Sequence, residues 1–118
     1  GGAHDAAGHE AQAAILYEQA IALGLSGKAR DELNIQYAST LRNLGRFDEA
    51  VTTLGAAPEK AEIESEHQAF LALALHSAGR TGEALAVALE ALIPHLGRYQ
   101  RSLAGYAAEL RGEPTSDS

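Results

Sequence analysis

Five histidines, His4, His9, His67, His76 and His95, are the side chains of this 118-residue chain best suited to holding a metal or moving a proton. The run HEAQA at 9–13 opens like the zinc-protease helix motif, in which two histidines one turn apart share a face, but its fifth position is Ala13. His67 and His76 stand about 2.5 helical turns apart, so a single helix projects them from opposite sides. His4 and His95 have no obvious companion. The expectation is hydrogen-bonded or solvent-facing histidine and no metal site.

A second candidate for chemistry is EKAEIESEH, residues 59–67, which carries four glutamates. Paired carboxylates can act as general acid and base, but acidic residues near a helix start are also favoured by the helix dipole, and solvation accounts for the rest. There is no glycine-rich phosphate loop or nucleophile elbow, and zero cysteines exclude disulfides, thiolate chemistry and sulfur-ligated zinc. Catalysis has no visible seat and no cofactor is expected. Tyr17, Tyr37, Tyr99 and Tyr106 read as packing residues.

A formal charge of −7 opposes a phosphate-binding surface, so nucleic acid is not an expected partner. The longest uninterrupted apolar run, 69–75, is far short of a membrane span, and no signal peptide or membrane anchor is legible. The lack of cysteine fits a reducing cytoplasm. With 46% apolar and 21% charged residues, the chain has the composition of one folded domain.

The elements that must position these residues are helices. Proline occurs only at 58, 94 and 114, and Ala, Leu, Glu and Gln dominate the stretches between. Leu33, Tyr37, Leu41 and Leu44 recur at helical steps, as do Phe47, Ala50, Val51 and Leu54, with Gly45 as the turn between. Further helices are expected at about 10–23, 62–78 and 81–92, with a turn at Gly79 and another at Gly8. The loops between hairpins are GLSG at 24–27 and the region around Pro58.

The phrase NLGRFDEA at 43–50 returns as SAGRTGEA at 77–84, its glycine 34 residues on, and more faintly as AAGHEAQA at 6–13. Aligned on glycine, Ala13, Tyr17 and Ala20 correspond to Ala50, Leu54 and Ala57, and to Ala84, Ala88 and Ala91. A 34-residue helix–turn–helix period resembles the tetratricopeptide repeat. The resemblance covers most of residues 8–92 and departs from the family pattern at Thr81 and Ala88, where larger packing residues are usual. Only seven residues precede Gly8, so two and a half repeats are counted.

The resemblance implies an all-α fold, a right-handed α-solenoid of antiparallel helix pairs. One domain at 1–111 would hold repeats at about 1–27, 28–61 and 62–95. A capping helix at about 96–111 follows, with Tyr99, Leu103, Tyr106, Ala107 and Leu110 turned inward. Residues 112–118 read as a disordered tail. It also implies that the first helix of each repeat lines a concave face where partner peptides lie. On the helix at 31–44 the face opposite the expected core stripe carries Glu32, Ile35, Ser39, Arg42 and Asn43. Its equivalent on the next such helix carries Glu66, Ala69, Leu73, His76 and Ser77. The expected function is a non-catalytic scaffold binding a protein or peptide there. A homodimer formed through the shortened first repeat, around Leu16, Tyr17 and Ile21, is the alternative, with an enzyme or small-molecule sensor third. Glu90 is expected on the convex side, away from any partner.

Overall fold

The structure is a computed structural model that describes the backbone of residues 3–112 and the side chains from His9 onward. Six α-helices follow one another: α1 (Ala3–Ala22), α2 (Gly27–Asn43), α3 (Phe47–Thr53), α4 (Glu64–Ser77), α5 (Thr81–Leu92) and α6 (Gln100–Leu110). Short 3-10 turns occupy Ala61–Ile63 and Ile93–His95. Among the described residues there is no strand. Each helix lies against its successor, α2 also packs on α4, and the body is elongated at 52 × 29 × 23 Å, as stacked helix pairs require.

The two hairpin turns are built identically. Helix α2 ends with the Gly45 amide donating to the Arg42 carbonyl and the Arg46 amide to Leu41. Helix α4 ends with Gly79 to His76 and Arg80 to Leu75. Both glycines have positive φ, 82° and 83°, which this reversed-turn cap requires. The arginine after each glycine then grips the glutamate three residues on through two hydrogen bonds, Arg46 to Glu49 and Arg80 to Glu83. These bonds hold both carboxyls below their ordinary range.

At Gly8 the expected turn is absent: α1 runs unbroken across it from Ala3 to Ala22. His9 and Gln12 stand where the other copies have the arginine and glutamate, so nothing reinforces a turn. A glycine within a helix costs only about 1 kcal/mol. The first expected hairpin is therefore one long helix packed on α2.

Leu41 and Leu54 are among the largest fully buried side chains, in a core with Ile35, Ala38, Ala50, Ile63 and Ala74 drawn from α2, from α3 and its C-terminal cap, and from α4 and the 3-10 turn before it. A second cluster joins Leu75, Ala84 and Val87. The buried line of α2 is Asp31, Ile35, Ala38 and Leu41, not the expected Leu33, Tyr37, Leu41 and Leu44, of which only Leu41 is fully buried. Asp31, 1% exposed, accepts hydrogen bonds from the backbone amides of Glu59 and Lys60, both at 2.8 Å, and so fastens the α3–α4 loop onto α2. The Gly27 amide in return donates to the Glu59 carboxylate.

Helix α6 comes alongside α5 but not α4. Ala107 is buried, Leu103 is half-buried, and Arg111 pairs with Glu90 of α5. Tyr99, Tyr106 and Leu110, expected to face inward, are exposed: Tyr106 and Leu110 lie to one side of the 103/107/111 row that meets α5, and Tyr99 precedes the helix in a left-handed conformation at φ 68°. The expected tail lies outside the described residues from 113 onward.

Helix α1 is tied to α2 by Tyr37, whose hydroxyl donates to the Glu18 carboxylate at 2.7 Å, and by the edge-on contact of Tyr17 with Tyr37. Burial, and then the Glu18 carboxylate, push the Tyr37 hydroxyl up from 10.0 to about 12. The folded chain thus favours the protonated phenol, and the stability this confers is present below pH 10 and lost as pH rises toward 12. Replacing Tyr37 with Phe should flatten this alkaline decline in a circular-dichroism titration. An unchanged decline would place its origin in other tyrosines or lysines.

Candidate functional site

The first helices of the two hairpins, α2 and α4, pack side by side, and their 34-residue offset puts equivalent residues on a shared face. On α2 the outward side chains are Lys28, Glu32, Gln36 and Asn43, with Ser39 half-buried among them. On α4 they are Glu62 from the preceding 3-10 turn, Glu66, Ala69, Phe70, Leu73 and His76. Leu73 is 45% exposed and sits one turn from His76, so an apolar side chain and an imidazole lie together in solvent.

Of the residues expected on this face, Glu32, Asn43, Glu66, Ala69, Leu73 and His76 are exposed and Ser39 is half-buried. Ile35 is not on it: at 8% exposure it belongs to the core, covered by α4. The structural reason is its neighbour. Helix α4 lies over this side of α2, whereas α6 does not reach the equivalent side of α4, so Ala69, one repeat later, is exposed. Arg42 donates from Nε to the Ser77 hydroxyl at 2.8 Å, joining the two helices. Asn43 donates to the Glu10 carboxylate of α1. These three residues are engaged within the molecule.

Gln36 and Phe70 were missed. They are equivalent under the 34-residue offset and both exposed. The signal was available in the spacing of Glu32, Gln36 and Asn43, once Asp31 is allowed to mark the buried line despite its charge.

At the start of the face, Lys28, Glu32, Glu62, Ile63 and Glu66 line a shallow recess of about 400 Å³. Its three carboxylates make no ion pair among the described residues, and one lysine faces them. At the other end, the face runs into an open apolar groove of about 560 Å³ between α4 and α5, with Leu73, His76 and Leu85 among its walls. The combination can take an apolar side chain and a cation, and has no nucleophile next to a base.

The histidines whose side chains are described do not assemble. Among the described residues no three histidine or carboxylate side chains converge as metal ligands would. His67 is buried, with Nε2 donating to the Leu54 carbonyl at 2.9 Å, which locks the start of α4 to the end of α3. His95 lies 3.4 Å from the Ser65 hydroxyl. No helix among the described residues is long and apolar enough to cross a membrane.

Comparison with known proteins adds one finding: the profile of the tetratricopeptide repeat family matches residues 1–110. No curated protein and no solved structure gives a match.

Proposed function

Because the chain belongs to the tetratricopeptide repeat family, a family of protein-interaction scaffolds that is generally non-catalytic, we infer that it is a cytoplasmic, non-enzymatic scaffold. It holds a protein or peptide partner on the shared face of α2 and α4. The observation that supports this most is the exposure of Leu73 and Phe70 beside Glu66 and His76 on one continuous surface. A single exposed leucine needs no explanation, whereas apolar residues flanked by orienting polar groups suit peptide recognition.

The test is capture of the partner by the intact chain, compared with Leu73→Asp combined with Glu32→Lys. Loss of about 2 kcal/mol or more is expected if Leu73 is an anchor, with the helical spectrum unchanged, since both residues are exposed. Arg42 is unsuitable for charge reversal because it bonds Ser77. Glu90 is unsuitable as a control because it holds Arg111, and Glu109→Lys on α6 replaces it. A folded double variant that keeps its partner would move the binding site elsewhere.

A second reading, self-association, is favoured by Ile15 and Leu16, both exposed on α1. It predicts a dimer at micromolar concentration that Leu16→Asp dissociates. Sedimentation as a monomer throughout that range would exclude it.

A further inference from the structure

The groove between α4 and α5 is the counterpart, one repeat on, of a groove the chain itself fills. Counting back 34 residues, Ala69, Ala72 and Ala88 correspond to Ile35, Ala38 and Leu54, and Leu85 to Val51. Ile35, Ala38 and Leu54 are buried and Val51 is packed against them, because α4 lies there with Ile63, Leu71 and Ala74 in the same cluster and His67 bonded to the Leu54 carbonyl. In the later groove Ala69, Leu73, Leu85 and Ala88 are exposed, Leu85 by 51%, because α6 lies along α5 only. The two surfaces are alike in layout, and one is covered by a helix.

The charge beside the groove says what kind of helix fits. The 3-10 turn before α4 and the first turn of α4 present Glu62 and Glu66 next to Lys28 and Glu32 of α2. One repeat on, Glu62 and Glu66 themselves take the places of Lys28 and Glu32, so an occupant lying as α4 does meets two carboxylates and no cation. Helices of a second copy do not match this. Helix α1 has no lysine or arginine. The stripe Tyr99, Leu103, Ala107 and Leu110 repeats the spacing of Ile63, His67, Leu71 and Ala74 with Arg98 in the place of Glu62, but Ser102 stands in the place of Glu66, so the second cation is missing, and Leu103 and Ala107 lie on the side of α6 already packed against α5 of its own chain.

We propose that the α4–α5 groove docks an amphipathic helix of a partner protein, parallel to α4, whose apolar residues recur at i, i+4, i+8 and i+11 and whose positions i−1 and i+3 are Lys or Arg. The apolar spacing is that of Ile63, His67, Leu71 and Ala74, and the basic positions are those of Glu62 and Glu66. The alanines of the groove let the partner's backbone approach closely while its larger side chains fill the space. This deepens the reading above, on which it rests for the shared residues Leu73 and His76, by naming the partner's chemistry and adding α5 to the surface.

The probe is a capped, fluorescent alanine–glutamine helix of about 16 residues, with leucine at i, i+4, i+8 and i+11 and lysine at i−1 and i+3. It is titrated against the intact chain by anisotropy. The expected result is saturable binding, weakened at least about tenfold when the two lysines become glutamate and lost in Leu85→Asp. In the chain carrying Glu62→Lys and Glu66→Lys, preference should invert toward the glutamate probe. Leu85 is exposed and circular dichroism verifies each variant's fold. No binding by either probe, or binding indifferent to Leu85→Asp, overturns the proposal. If binding instead responds to Gln36→Lys on α2 and not to Leu85→Asp, the groove is excluded while the α2–α4 face stands; response to neither removes both. A chain that sediments as a dimer and is made monomeric by Leu85→Asp would give the groove to a second copy, against the proposal.

Discussion

Leu41→Ala should destabilise the chain by about 2–5 kcal/mol and lower its melting temperature by more than about 10 °C. Leu41 is 0% exposed and sits where α2, α3 and α4 meet, so the truncated methyl groups leave a space that three helices would have to close together. Stability in a stacked-helix protein comes from each element and its immediate neighbours, with no separate central core to absorb the loss. A domain of this size has only about 5–15 kcal/mol in total. The comparison that gives the result meaning is Leu73→Ala, the same change on the exposed face of α4, where a shift within about 0.5 kcal/mol is expected. Thermal melts of the two variants should separate widely, and equal melting temperatures would mean that the assigned core is not the core.

The repeat was legible because its turns are written in residues with specific backbone demands. Gly45 and Gly79 both sit at positive φ, and each is followed by an arginine that binds the glutamate three residues on. The faint copy at Gly8 resembled them in glycine and alanine spacing but lacked that arginine and glutamate. Spacing alone does not distinguish a turn from a helix that tolerates a glycine, and α1 is the outcome. Side-chain pairing was the missing signal.

Which face of α2 is buried was harder to read, for an electrostatic reason. A carboxylate ordinarily marks the solvent side, and the stripe of Leu33, Tyr37, Leu41 and Leu44 keeps Asp31 off the buried line and leaves Ile35 outside it. Asp31 is buried because two backbone amides from a loop 28 and 29 residues away satisfy it, and a long-range polar contact leaves no periodic trace. The exposed face of α4 was read more accurately, since no helix lies over it. Position in the stack, in addition to residue type, decides whether Ile35 and Ala69 meet protein or water. The inward turn expected for Tyr99 and Tyr106 failed similarly: the stripe of α6 was visible, but nothing in its sequence said that α6 would lie along α5 alone.

Asp31→Ala should cost about 2–4 kcal/mol, because it removes two charge-assisted hydrogen bonds and leaves the Glu59 and Lys60 amides without acceptors in a partly buried loop. Asp31→Asn should fall between, since its amide offers one acceptor oxygen and sets a donor against the other backbone donor. Global destabilisation alone would not identify the cause, so the decisive readout is amide exchange at Glu59 and Lys60. In Asp31→Ala these two should exchange much faster than in Leu41→Ala at matched overall stability, because the aspartate acts on that loop and Leu41 on the helix junction. The loop also fixes where the turn at Ala61–Ile63 begins, and with it the placement of Glu62 and Glu66 beside Lys28 and Glu32. Asp31→Asn, folded but loosened there, should therefore weaken the lysine-bearing helix probe while the groove side chains are untouched. Parental stability in Asp31→Ala, with unchanged exchange at both amides, would show that the buried carboxylate is not what fastens the loop.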